Sequence, residues 1–138
     1  MKEVKHKHLI IRAEVSNPIN NPISTEVWLQ ELVNKIDMKL LDCMTHNPVT
    51  GYCEELGLRG ITGVILIETS HIVIHIWDEP EPALVQLDVY SCADFDIEPV
   101  IDHLGSMKPV SLSYKFLDRE DDLIDIESGS MKAKLSND

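Results

Sequence analysis

Two strongly apolar runs, Val64–Ile67 and Ile72–Ile76, are separated only by Glu68-Thr69-Ser70-His71. Both are rich in β-branched residues, and the second continues into Trp77-Asp78-Glu79. Runs of this length and composition read as strands, and the short polar link leaves no room for a crossover between them. Apolar side chains at nearly every position predict strands covered on both faces. Helices of the chain can cover one face, and a second subunit is expected over part of the other.

The flanking sequence supplies a sheet for this pair. Leu9–Val15 reads as a first strand, and Leu84–Tyr90 as a further one after the Asp78-Glu-Pro-Glu-Pro82 turn. Val110, Leu112, Tyr114 and Phe116 alternate with polar residues, which signals a half-buried strand. Ser16–Pro22 is a loop; Ser24 or Thr25 can then cap a helix. Leu29, Leu32, Val33, Ile36 and Leu40 recur at helical spacing, predicting an end near Leu41–Met44. Thr45–Gly60 is irregular and carries either a strand or a long loop. Ile97–Leu104 is a short second helix, with Pro99 in its first turn and Gly105 ending it. The order β-α-β-β-β-α-β predicts an α+β two-layer sandwich, an antiparallel sheet with two helices on one face. Residues 1–117 are expected to form a single domain. Residues 118–138 read as an acidic, mobile tail in which Leu123-Ile-Asp-Ile126 can add a short strand.

A net charge of −12 disfavours a nucleic-acid partner, because phosphate backbones need Lys and Arg. No apolar run approaches the roughly 20 residues that span a bilayer, so no membrane partner is expected. The N-terminus lacks the apolar core of a signal peptide, which predicts a cytoplasmic protein. Cys43, Cys53 and Cys92 are odd in number and form no CxxC pair, which fits reduced thiols better than a disulfide framework or a zinc site.

Ser70 stands between two strands, where a strained turn lets a serine hydroxyl attack the preceding carbonyl. Taken alone, a turn serine more often bonds its own backbone. His71 and His75 lie four apart and share one strand face, but no third ligand is placed, so no metal is expected. Cys92 closes the Asp88-Val-Tyr-Ser run and is reactive only at the mouth of a site. His6 and His8 read as solvated.

Gly60-Ile-Thr-Gly-Val-Ile-Leu-Ile-Glu-Thr-Ser-His-Ile-Val-Ile-His-Ile-Trp-Asp-Glu79 resembles the segment G-x-S-G-V-x-x-I-S-E-S-H-[LI]-x-I-H-T-W-P-E of the small prokaryotic S-adenosylmethionine decarboxylases. Leu87-Asp-Val-Tyr-Ser-Cys92 resembles the family's later D-[LV]-F-T-C-G, and Lys7-His-Leu-Ile10 its first strand. The resemblance implies a pyruvoyl-dependent enzyme of polyamine (spermidine) biosynthesis, made as a proenzyme that cleaves itself between Thr69 and Ser70. Ser70 would become the pyruvoyl group, the sole cofactor, which forms a Schiff base with the substrate amine. By position His75 would assist processing with Thr62, and Cys92 would be the proton donor. Glu79 would bind the substrate ribose, Leu56 occupies the place of an adenine-stacking aromatic, and Glu14 stands near a substrate-binding acid whose own place holds Arg12.

The family's small members are dimers with sites at the subunit interface. Extended geometry agrees: Ser70 and His75, five positions apart, lie roughly 16 Å from each other on opposite faces, so His75 should reach Ser70 from a partner chain. Thr69 replaces a glutamate of the family pattern, Thr62 a serine and Ala93 a glycine. Two further readings stay open. One is a pyruvoyl decarboxylase of another amino acid, such as arginine or ornithine. The other is a non-cleaving, non-catalytic homologue that binds a ligand or a partner subunit.

Overall fold

The computed structural model describes residues 5–132, in which seven strands and two helices build one sheet and its cover. In chain order they are β1 (Lys7–Val15), α1 (Pro22–Lys35), β2 (Val49–Cys53), β3 (Gly60–Ile67), β4 (Ser70–Trp77), β5 (Ala83–Ser91), α2 (Glu98–Leu104), a 3-10 turn at Gly105–Met107, β6 (Pro109–Asp118) and β7 (Ile124–Lys132). The sheet order is β2-β3-β4-β5-β1-β6-β7. Every neighbouring pair is antiparallel, so the fold is the expected α+β class.

Period-two alternation sorts the faces. Leu9, Ile11 and Val15 of β1, Ile61 and Ile65 of β3, Ile72, Ile74 and Ile76 of β4, and Val85, Leu87 and Val89 of β5 are all buried. They share one core with Trp28, Leu29, Leu32 and Val33 of α1 and with Val100 and Leu104 of α2. Each such side chain stabilises the fold by about 1.5–3 kcal/mol, so this layer dominates stability. Trp28 and His103 join the helices reciprocally: Trp28 Nε1 donates to the His103 carbonyl at 3.3 Å, and His103 Nε2 donates to the Trp28 carbonyl at 2.8 Å. Glycine permits two close approaches. A Cβ on Gly63 would lie 3.2 Å from both Leu29 Cδ1 and Thr25 Cγ2, where α1 rests on β3. A Cβ on Gly60 (φ 153°) would lie 1.8 Å from the Ile76 carbonyl oxygen.

Helix α1 differs from the expectation at both ends. Asn21, not Ser24 or Thr25, is the cap: its side chain accepts the Ser24 N–H at 2.8 Å, and Pro22 follows at the first helical position. Thr25 is buried inside the helix, its hydroxyl donating to the Asn21 carbonyl at 2.9 Å. The C-terminus comes early because Asp37 turns left-handed (φ 58°). Asp37 N–H returns to Asn34 and Met38 N–H to Val33, a Schellman closure. Leu40 therefore lies outside the helix and bridges Ile67. At α2, the left-handed residue is Lys108 (φ 54°), after the 3-10 turn that begins at Gly105.

Two edge strands extend the expected order. The irregular segment contains β2, paired to β3. Beyond Asp118 the chain turns and β7 pairs along β6. Here Tyr114 donates to Glu127 at 2.5 Å, Lys115 pairs with Asp125 at 3.1 Å, and Gly129 lies under the Tyr114 ring. These cross-strand pairs make 124–132 a strand, longer than the short one Leu123–Ile126 offered and in place of a mobile acidic tail, because charge composition hides pairing partners that lie on another strand. Residues 133–138 of that tail lie outside the described residues.

Among the described residues no helix covers the second face. Registered rows cross it: Leu66-His71-Tyr90-His8, Val64-Val73-Asp88-Ile10, Thr62-His75-Gln86-Arg12 and Gly60-Trp77-Leu84-Glu14.

Candidate active site

The β3–β4 hairpin turns on Glu68 and Thr69, with Ile67 opposite Ser70. So tight a turn between two buried runs forces an unusual backbone at its exit: Ser70 has φ 141°, a region that side chains other than glycine rarely enter. Such a residue carries strain on the order of 1–3 kcal/mol and persists only where its surroundings hold it. The next strand does so. The Cys92 N–H donates to the Thr69 carbonyl at 2.8 Å. The buried Ser91 hydroxyl donates to Thr69 Oγ1 at 2.9 Å, and Thr69 Oγ1 donates to Met38 Sδ at 3.3 Å. Ser70 itself faces Ser91 in the β4–β5 ladder. A hydroxyl thus adjoins a strained peptide whose carbonyl oxygen already rests on a backbone donor, the arrangement that stabilises an oxyanion.

A second group occupies the other end of β4. Thr62 and His75 are register partners, and Thr62 Oγ1 and His75 Nδ1 share a hydrogen bond of 3.2 Å. The His75 ring stacks on Trp77, with centroids 5.7 Å apart. Glu79 Oε1 accepts the Gly57 N–H at 2.8 Å and the Arg59 N–H at 3.2 Å, which fixes the loop before β3. Glu79, Trp77, Leu84, Gly57 and Arg59 line a concavity of about 290 Å³. Leu56, 76% exposed, adjoins it through Gly57. Glu14 lies one strand further along the Trp77–Leu84 row, where Oε1 accepts from Ser111 at 3.3 Å and meets Arg12 at 3.4 Å. Tyr52 donates to Asp78 beside this loop, and that carboxylate holds the phenol above its usual range.

A third group went unseen in the sequence. His6 and His8, read as solvated, instead enclose Tyr90. His6 Nδ1 lies 3.0 Å from the Tyr90 hydroxyl, and the Arg119 guanidinium sits 4.3 Å over the ring. Arg119 donates to His8 Nδ1 at 3.1 Å, so His8 presents Nε2–H to Asp88. Burial alone would raise the Asp88 carboxyl, but the His8 hydrogen bond and the positive Arg119 guanidinium nearby outweigh it and hold it below the usual range. Alternation of β1 and β5 put His8, Asp88 and Tyr90 on one face, but only the register made them neighbours. Among the described residues, no group of three or more His, Cys, Asp or Glu is arranged to hold a metal ion, and no helix is long and apolar enough to cross a membrane.

The S-adenosylmethionine decarboxylase family model matches residues 7–120. The chain belongs to the S-adenosylmethionine decarboxylase family. An S-adenosylmethionine decarboxylase proenzyme of Archaeoglobus fulgidus is 34% identical over 92 residues, covering 65% of this chain and 80% of that protein. One of Methanococcus aeolicus is 29% identical over 132 residues, covering 93% and 98%. The crystal structure of the adenosylmethionine decarboxylase from Aquifex aeolicus shares the fold, with a TM-score of 0.67 at 20% identity over 92% of this chain and 98% of that one.

Within this S-adenosylmethionine decarboxylase family member, the residues singled out from sequence fall into two places. Thr69, Ser70 and Cys92 meet at the hairpin end. Thr62, His75, Glu79, Leu56 and Glu14 gather toward the opposite end of the open face. One chain does not bring the two sets together.

Proposed function

We propose that this chain is the proenzyme of a pyruvoyl-dependent S-adenosylmethionine decarboxylase that cleaves itself between Thr69 and Ser70. The observation that carries this reading is the Thr69–Ser70 peptide, with Ser70 at φ 141° and the Thr69 carbonyl on the Cys92 N–H. Ser70 Oγ adds to the Thr69 carbonyl carbon while the oxygen gathers charge against that N–H. The Thr69–Ser70 C–N bond then breaks, and the hydroxyl proton passes to the freed amine, leaving an ester. Removal of the Ser70 Cα proton expels the Thr69 carboxylate from Cβ. The resulting dehydroalanine tautomerises to an imine, water adds, and ammonia leaves. Residue 70 then bears a pyruvoyl group, which supplies the electron sink for decarboxylating an amine-bearing substrate.

The remaining roles follow from position. His75, with Nδ1 engaged by Thr62, has Nε2 for the proton transfer of the elimination. Cys92 is the proton donor during turnover. Glu79 has one carboxylate oxygen committed to the loop and the other for a ribose hydroxyl, with Glu14 and Leu56 flanking the nucleoside. Ser70 and His75 are roughly 16 Å apart along β4 by strand geometry. The working site therefore needs two chains: a homodimer in which the open face of one copy, carrying His75, meets the β3–β4 hairpin end of the other, carrying Ser70. Leu66, Val64, Val73, Ile10, Trp77 and Leu84 lie on this face among polar groups, and apolar side chains of that size are better covered by a partner than by solvent. The product would feed spermidine synthesis in the cytoplasm.

Intact-mass measurement of purified protein tests this. Two fragments divided between residues 69 and 70 are expected, with the second refractory to Edman chemistry, and Ser70→Ala should remain whole. A wild-type chain that stays whole after prolonged incubation favours the non-cleaving homologue. Exposed Leu56 in place of a stacking aromatic supports a second reading, decarboxylation of a basic amino acid; CO2 release from arginine or ornithine, and none from S-adenosylmethionine, would establish it.

A further inference from the structure

Ser91 ends β5 on the helix-facing side, after Ala83, Val85, Leu87 and Val89. It is fully buried, in a stripe otherwise apolar. A buried hydroxyl is costly unless its hydrogen bonds are made. Both are made here, one to the hairpin and one within its own strand end. The hydroxyl donates to Thr69 Oγ1 at 2.9 Å and accepts the Ala93 N–H at 3.0 Å. The next residue, Cys92, donates its N–H to the Thr69 carbonyl. Two consecutive residues of one strand end therefore hold two polar groups of Thr69, the hydroxyl and the carbonyl. The Thr69 hydroxyl in turn donates a hydrogen bond to Met38 Sδ, which completes the grip on a side chain already stiff at χ1. With side chain and carbonyl both held, rotation about the Thr69 Cα–C bond is blocked, and the face of the carbonyl presented to Ser70 is set.

We propose that Ser91 is a positioning residue for self-cleavage: its buried hydroxyl locks Thr69 so that the Thr69 carbonyl stays on the Cys92 N–H while Ser70 attacks. This rests on the self-cleaving reading above. It assigns a task to the threonine found where the family pattern has glutamate: its short branched side chain reaches a neighbour inside the chain. Ser91 touches neither substrate nor the reacting atoms, and it acts on the acyl shift, not on the elimination that follows.

The test follows chain splitting by intact mass after a pulse of cell-free synthesis, for wild type, Ser91→Ala, Ser91→Thr, Thr69→Val and the double variant Ser91→Ala/Thr69→Val. Ser91→Ala and Thr69→Val should each slow splitting about tenfold, the scale expected for losing one orienting hydrogen bond. The double variant should be no slower than either single one, and Ser91→Thr, which keeps the hydroxyl, should split within about threefold of wild type. Hydroxylamine, which cuts an accumulated ester at residue 69, should release no extra fragment from Ser91→Ala. Thr69→Val, nearly isosteric, serves if Ser91→Ala fails to fold. Unchanged rates in both single variants, multiplicative effects in the double variant, or an ester accumulating in Ser91→Ala would each overturn the proposal. An uncut wild-type chain would overturn the self-cleaving reading along with it, so the two failures are distinct.

Discussion

The backbone N–H of Cys92 lies 2.8 Å from the carbonyl oxygen of Thr69. That bond links the end of β5 to the turn between β3 and β4, and it places a fixed donor on the one peptide group followed by a strained serine. Because the donor is backbone, replacing the Cys92 side chain leaves it in place. Cys92→Ala should therefore still split between Thr69 and Ser70 while losing at least about tenfold in kcat for decarboxylation, the scale of a missing general acid. Mass and CO2 release measured on the same preparation separate the two effects; a Cys92→Ala chain that never splits would place the thiol in the first reaction instead.

If His75 serves the neighbouring chain, two inactive variants should complement. Ser70→Ala and His75→Ala homodimers are each expected to stay whole. Co-expressed, the His75→Ala chain keeps its serine and meets an intact His75 on the Ser70→Ala partner, so its cleavage should return in mixed dimers. No fragments in verified mixed dimers would confine His75 to its own chain.

Relief of the Ser70 strain should be measurable in chains that cannot cleave. Ser70→Gly, which tolerates φ 141°, is expected to be more stable than Ser70→Ala by on the order of 1 kcal/mol, after the entropy cost of glycine is set against the strain removed. Urea denaturation of the two variants provides the comparison, and equal midpoints would mean the turn relaxes at no cost.

Leu56→Phe restores an aromatic beside the Glu79 concavity. A stacking contact on adenine is worth about 1–3 kcal/mol, so KM for S-adenosylmethionine should fall roughly fivefold or more with kcat little changed. An unchanged KM would remove Leu56 from the nucleoside site.

Burial holds the His103 imidazole below its usual range, against the Trp28 carbonyl that accepts its N–H. Above about pH 6.5 the ring is neutral in both folded and unfolded chains. As pH falls below that value the unfolded chain binds a proton that the folded chain refuses, so stability declines. Tm should drop between pH 7.5 and 5.5, and the drop should be smaller in His103→Gln even though that variant is less stable at neutral pH.

Local patterns carried much of this molecule. The apolar runs around Thr69-Ser70, the period-two alternation of Val110–Phe116 and the helical spacing of Leu29–Ile36 depend on neighbours in the chain, so strands, helix and the suspect serine were legible directly. Short-range chemistry that competes closely was not: Asn21 outcompeted Ser24 and Thr25 for the cap, and a left-handed Asp37 stopped the helix before Leu40. Longer-range facts had no local signal at all. Register alone sets Ser91 and Cys92 against Thr69, Asp88 and Tyr90 against His8, and β7 against β6, because antiparallel pairing joins residues up to 111 positions apart, as in Lys7 and Asp118. Residue types and alternation dictated which groups are present and which face they take; only the folded sheet decided which of them touch, since a shift of one residue would turn every side chain to the opposite face.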